Sequence, residues 1–215
     1  MKKCLLFVLT AAVLFSFAAC KKSPENISEE STAPEQSTSE AAEETTAHEL
    51  ETLRLRELEP DEVLVVYFNG REGVEEAAKA VSAALSCDSF EIVPAEPYPE
   101  EEEAKLERAA NEYENLLLPA LEGHVEDMSA YSAIVAVFPE FGGNLPMAVR
   151  TFMEDYDLRR TLIVPVCLTS DKGVGFAMEQ FRSLMSLCPV YGGTVITPEE
   201  DIRAKTAELL DAALQ

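Results

Sequence analysis

Tryptophan is absent from the 215 residues, histidine occurs twice, and Lys and Arg together number 17 against 40 Asp and Glu. The formal net charge of −23 argues against a nucleic-acid ligand, because there is no Lys/Arg cluster to displace phosphate counterions. The cysteines, Cys4, Cys20, Cys87, Cys167 and Cys188, contain no C-x-x-C pair, so neither a zinc site nor a disulfide framework is suggested. His48 and His124 have no Cys or carboxylate at metal-ligand spacing, and read most simply as surface residues. Also missing are the G-x-S-x-G elbow, H-E-x-x-H, the P-loop, the dinucleotide fingerprint and the Asp-x-Asp-x-Asp-Gly calcium loop. The acid run Glu100 to Glu103 therefore reads as a solvated helix start.

What is present begins with a secretory layout. Residues 1–19 carry two lysines, an apolar stretch from Leu5 to Ala19 and small residues before Cys20. The apolar run is shorter than the ~20 residues of a spanning helix. Phe17-Ala18-Ala19-Cys20 resembles a bacterial lipobox, in which the Cys becomes the lipid-modified first residue of the mature chain. The resemblance implies lipidation of Cys20 by palmitate-type chains and a location outside the cytoplasm, anchored to the cell membrane. Two or three acyl chains give stable anchoring where one is marginal. The competing readings are an ordinary signal peptide that contains a Cys, or an uncleaved anchor.

From Lys21 to about Ala47 the chain is Ser, Thr, Glu, Ala and Pro with hardly a large apolar residue. Such a segment cannot offset its ordering entropy by burial, so residues 20–60 are expected to be a disordered acidic tether. The folded domain is expected over 61–215.

From Asp61 strands and helices alternate. Val63 to Phe68 is a short apolar run, the mark of a strand buried on both faces. Val74 to Leu85 repeats apolar residues at helical spacing. Phe90 to Val93 predicts a second strand, Pro94 to Pro99 a link, and Pro99 with Glu100 to Glu103 a helix start whose helix stops before Pro119. Strands follow at Ile134 to Phe138 and Leu162 to Leu168, the latter with Pro165 and a local bulge, and at Thr194 to Ile196. Helices are expected at Pro146 to Tyr156, Gly175 to Leu187 and from the capping box Thr197-Pro198-Glu199-Glu200 to about Leu214. Five alternating strands and helices imply an α/β three-layer sandwich with a parallel sheet. Ligands bind such folds at the carboxyl ends of the strands, where strand order reverses.

VLVVYF, FEIVPAEPYPE, VEDMSAYSAIVAVFP, GGNLPMAVRTFMEDYDL and CPVYGGTV resemble the short bacterial flavodoxin-like domains over roughly residues 62 to 213. That resemblance implies a five-stranded parallel sheet of order 2-1-3-4-5 with non-covalent FMN. It also implies three cofactor-binding loops. The first is Asn69, Gly70, Arg71, Gly73 and Val74, where the family has hydroxyl residues around the phosphate; Arg71 is a bidentate donor in their stead. Glu72, Glu75 and Glu76 oppose it, each unit charge about 6 Å from a phosphate costing ~3 kcal/mol at an effective dielectric near 20. Glu75 and Glu76 equally suit a helix start with no ligand.

The second loop is Phe141, Gly142, Gly143 and Asn144, with Phe141 where the family has an aromatic residue against the flavin; the same glycines would serve any tight turn. The third is Thr169, Ser170, Lys172 and Gly173, whose hydroxyls could instead cap the next helix. No catalytic residue and no metal ligand is identified. The family reading is an extracytoplasmic, membrane-tethered FMN protein that passes electrons to or from a partner with a basic surface, or reduces a small substrate as an oxidoreductase. The other reading is a flavodoxin fold without flavin that acts as a binding module.

Overall fold

The computed structural model describes residues 57–169, 176–197 and 200–213. The signal segment, Cys20, the tether to residue 56, and Ser170, Lys172 and Gly173 lie outside the described residues.

Seven strands form: β1 Val63–Tyr67, β2 Asp88–Glu91, β3 Val93–Pro94, β4 Leu121–Glu122, β5 Ala133–Pro139, β6 Leu162–Leu168 and β7 Thr194–Ile196. Five of them make one parallel sheet in the order β2-β1-β5-β6-β7. With β3 and β4 set apart in a small antiparallel pair, this is the expected arrangement, in which the reversal of strand order falls between β1 and β5. The helices are α1 Val74–Leu85, α2 Glu102–Glu114, α3 Met147–Glu154, α4 Ala177–Leu184 and α5 Ile202–Ala213.

The period of two along each central strand sorts side chains into two cores. Val63, Val65, Val135, Val137, Val164 and Val166 face one side and pack with Val74, Ala77, Ala78, Val81 and Leu209 of α1 and α5. Leu64, Val66, Ile134, Ala136, Phe138, Ile163 and Cys167 face the other, against Ala109, Ala148, Val149, Phe152, Ala177 and Phe181 of α2, α3 and α4. Full burial of a side chain such as Phe138 or Ile134 contributes about 1.5–3 kcal/mol.

Several element boundaries differ from the sequence expectation, most by a few residues at a helix or strand end. β2 begins at Asp88 rather than Phe90, because Asp88 and Ser89 pair with Leu64 and Val65 although their side chains are exposed. It is an edge strand, where polar residues hide the backbone pairing. Val93 and Pro94, expected as strand end and link, instead pair antiparallel with Leu121 and Glu122. A two-residue pairing has no period to read. α2 stops before Pro119 as expected, at Glu114, where Leu116 takes the left-handed conformation at φ 52° and turns the chain.

Pro165 sits within β6 opposite Ala136 of β5. The Ile163 N–H donates to Pro189 on the other side, so position 165, two residues on, aims its nitrogen the same way. There the neighbouring chain passes through Gly192 and Gly193, both at positive φ, before β7 pairs from Val166 onward. The irregularity lies in the neighbour of β6, which asks for no N–H at Pro165. At the last helix, the Thr197 amide and hydroxyl donate to the Glu200 carboxylate at 2.8 and 2.9 Å, and α5 starts two residues later.

Candidate functional site

The first loop leaves β1 at Phe68, whose amide donates to Val137 O at 3.1 Å, and turns at once as Gly70 N–H donates to Phe68 O at 2.8 Å. Gly73 stands at the start of α1 with φ 90°, and a Cβ there would lie 2.6 Å from Ile202 Cδ1 and 3.3 Å from Leu168 Cδ2. Only glycine satisfies both the backbone and the space. Having no side chain, Gly73 cannot cap the helix, and of the first-turn amides of α1 the Val74 N–H donates to Arg71 O at 3.4 Å.

The opposing carboxylates are largely answered within the fold. Glu75 pairs with Lys79 at 2.5 Å, and Glu76 pairs with Arg203 of α5 at 2.9 Å. Glu72 is exposed, where solvent and salt screen it. Arg71 behaves differently: its Nη1 is buried and has no hydrogen-bond partner among the described residues. A buried, charged donor is costly to leave without an acceptor. Arg71 also lies near enough to β6 to act on Cys167. Burial foremost and then the Glu140 charge push that thiol up to about 12, while Arg71 works in the opposite sense.

The second loop closes on itself. Phe141 and Asn144 exchange backbone hydrogen bonds at 2.9 and 3.0 Å, with Gly142 at φ 57° and Gly143 at φ 83° between them. Two central residues at positive φ are what a two-residue type I′ turn requires. The space around both glycines is open. Phe141 is 5% exposed and packs edge-on with Phe68 and Tyr98 at ring-centroid distances of 5.6 and 5.4 Å. A Cβ on Gly70 would meet Phe141 Cζ at 2.5 Å, so the two loops are fitted to each other. Lys105 of α2 lies 5.9 Å from the Phe141 ring centre and donates to Gly70 O at 3.4 Å.

Asn144 and Leu145 are held from α4. Gln180 Oε1 accepts from the Leu145 amide at 2.7 Å, and its Nε2 donates to Asn144 Oδ1 at 2.9 Å and to the Tyr113 hydroxyl at 3.0 Å. In the third loop Thr169 is buried, its amide donates to Ile196 O at 2.9 Å, and its hydroxyl donates to the buried Glu140 carboxylate at 2.8 Å. The hydroxyl expected to face a ligand or cap a helix thus serves the junction of β5 and β6.

The fold brings Asn69 to Val74, Phe141 to Asn144 and Thr169 together at the carboxyl ends of β1, β5 and β6. Sequence reasoning missed Tyr98, Lys105, Glu140 and Gln180, which join the loops to α2 and α4. Tyr98 donates to Glu112, and Arg108 binds Glu112 at 2.8 Å while its guanidinium stacks 4.3 Å from the Tyr98 ring centre. Burial, then the bond to Glu112, raises the Tyr98 phenol. In sequence each of these is a polar residue on an acidic helix or in a link, indistinguishable from a solvated one.

The sequence profile of the family described as Flavodoxin matches residues 62–201, from the residue before β1 to the residue before α5. The chain belongs to the flavodoxin family. No curated protein matches it significantly in sequence. Among solved structures this flavodoxin is similar to a protein described as a flavoprotein from Bacteroides eggerthii, at 21% identity and TM-score 0.63, covering 72% of this chain and 98% of that one. Its counterpart from Bacteroides uniformis is 21% identical with TM-score 0.62, over 70% and 97%. A flavoprotein from Lactobacillus acidophilus in complex with FMN is 12% identical with TM-score 0.60, over 72% and 99%. At these identities the likeness establishes the fold of the flavodoxin domain.

Proposed function

We propose that this flavodoxin binds FMN at the carboxyl ends of β1, β5 and β6 and carries electrons as a lipid-anchored protein outside the cytoplasm. The observation that carries the reading is Arg71, whose buried Nη1 has no acceptor among the described residues and stands beside the uncapped start of α1. A phosphate dianion supplies what both lack, a paired acceptor for a guanidinium and a charge for the helix dipole. The pairing of Glu75 with Lys79 and of Glu76 with Arg203 removes most of the repulsion that the sequence implies. The FMN complex of the Lactobacillus acidophilus protein supports the same ligand.

Within this reading Arg71 and the Gly73 backbone hold the phosphate, with the Asn69 amide as a further donor, while Gly70 and Val74, whose amides donate to Phe68 O and Arg71 O, shape the loop around it. Gly142, Gly143 and Asn144, fixed by Gln180, border the ring. Phe141 acts by locking the second loop against Phe68 and Tyr98. Ser170, Lys172 and Gly173 belong to this reading through the family resemblance of the sequence alone. FMN, when bound, accepts and releases electrons at its ring, and the protein's part is to bind and orient it. The net charge of −23 favours a redox partner with a basic docking rim. Lipidation of Cys20 and the acidic tether to residue 60 hold the domain at a distance from the membrane.

Titration of the purified protein with FMN at low salt, followed by flavin fluorescence, tests the site. Saturable quenching at one FMN per chain is expected, with Arg71→Ala weakening it about 10- to 100-fold, the worth of charge-assisted hydrogen bonds. The burial of Phe141, which withdraws the aromatic face from the second loop, favours the flavin-free binding module instead, and absence of binding at high micromolar FMN would establish that reading. The anchor is tested separately: incorporation of a labelled fatty acid should be lost in Cys20→Ser, with release of the protein from the membrane fraction.

A further inference from the structure

Of the clefts among the described residues, three differ in the charge of their linings. One, between the first loop and the Pro94 to Pro99 link, includes Glu91, Glu100 and Lys105; another, between α1 and α5, includes Glu75, Glu76, Lys79 and Arg203. The cleft of about 430 Å³ between the end of α2, the first half of α3 and the second half of α4 is lined by Arg150 and by no Asp or Glu. In a chain with 40 carboxylates and 17 Lys and Arg, this lining holds a cation, Arg150, whose carboxylate partner Glu154 lies outside the lining.

Its other walls are apolar. Leu145 and Met147 are buried and form the floor, while Leu184 and the exposed Leu116 form the sides. Leu116 is 66% exposed and holds φ 52°, a conformation that costs a branched residue free energy and that turns it out of α2 toward the cleft. Two donors accompany these walls. The amide of Gln180 is oriented by the Leu145 N–H, so its Nε2 must donate to the Tyr113 hydroxyl, and the Tyr113 proton is left for a further acceptor. Arg150 uses its Nε on Glu154 at 2.8 Å, which leaves the outer guanidinium nitrogens available.

We infer that this cleft is a binding site for a small aromatic carboxylate, whose ring fills the Leu116, Leu145, Met147 and Leu184 walls and whose carboxylate accepts from Tyr113 and Arg150. The volume lies within the range of small-molecule sites, which are mostly apolar with a few placed polar groups. A neutral aromatic leaves both donors without an acceptor, and a second copy of the chain brings a charge of −23 to a surface of the same sign. Gln180 links the cleft to Asn144 and Leu145, so occupancy is felt at the second loop. The inference does not rest on FMN binding.

The test uses the full chain without flavin and the naphthoate anion as probe, followed by amide chemical shifts. Expected are saturable shifts at Leu145, Gln180 and Leu184 at one probe per chain. Arg150→Gln should weaken binding about tenfold and Tyr113→Phe about three- to tenfold, while Arg71→Ala leaves it unchanged. Neutral naphthalenemethanol should bind at least tenfold more weakly than naphthoate to the wild type and equally to the wild type and Arg150→Gln, which also shows that the cleft is intact in the variant. No saturable binding, equal affinity for the neutral twin, or shifts spread over the surface would overturn the inference. So would displacement of naphthoate by FMN with Arg71→Ala weakening both ligands alike, since the cleft would then be part of the flavin site.

Discussion

The first and second loops leave adjacent strands, β1 and β5, at the same edge of the sheet, and each depends on glycine for a different reason. In the first loop, Gly73 is confined by Ile202 and Leu168, so the requirement is for space as well as for backbone conformation. In the second, Gly142 and Gly143 adopt positive φ in open surroundings, and only the turn demands them. The polar groups differ in the same way. The first loop retains a buried guanidinium nitrogen without an acceptor among the described residues, whereas the Asn144 and Leu145 end of the second is bound to Gln180. One loop is closed by the tertiary structure around it and left open to an anion; the other is closed by itself and stapled from α4.

The largest effect that separates them should come from Phe141→Ala. Its ring touches both loops, and deleting it removes a buried aromatic from between Phe68 and Tyr98, at an expected cost of about 3–5 kcal/mol in urea unfolding. A loss below about 1 kcal/mol would show that the loops do not share this core. Next is the glycine pair: Gly73→Ala should cost about 2–3 kcal/mol, the left-handed strain with the clash added, against about 1 kcal/mol for Gly142→Ala, which meets no neighbour. Equal losses at the two positions would remove the distinction between space and conformation.

A contrast of charge rather than of packing lies at Cys167 of β6, on which Arg71 and Glu140 both act. Its thiol is pushed up to about 12, chiefly by burial and next by Glu140, with Arg71 opposing. A thiol pKa raised in the folded state gives stability that is complete below the unfolded value near ~8.5 and is lost as pH climbs through the folded value. The stability difference between wild type and Cys167→Ala should therefore narrow between about pH 8.5 and 12. Alkylation rates measured against pH should also separate the loops: Glu140→Gln lowers the Cys167 pKa and quickens the reaction, while Arg71→Ala raises it and slows it. Changes of the same sign would show that the two charges do not act on the thiol from opposite sides.

Much of the architecture was legible beforehand, because a buried parallel sheet writes itself as apolar runs of fixed length. VLVVY, AIVAVFP and LIVPVCL each stand out in isolation, and their alternation with helical periods leaves few ways to pack them. Edge strand β2 was misjudged at its start and the β3–β4 pair was invisible, since backbone hydrogen bonds leave no mark on side-chain composition. At the site, the candidate residues of the first and second loops do converge, yet the partners that set their roles lie far along the chain. Lys105 reaches Gly70 across 35 positions and Gln180 reaches Asn144 across 36.

By itself the sequence determined the central strands β1, β5 and β6, the alternation of strands with helices and the excess of negative charge. These follow from local periodicity and composition, which each segment carries alone. Only the tertiary structure decided that Phe141 is interior, that Glu75 and Glu76 are matched by Lys79 and Arg203, that Arg71 is left with a buried donor, and that one cleft has no acid. Each of these is a relation between residues brought together by packing, and electrostatic and steric terms act across space rather than along the chain.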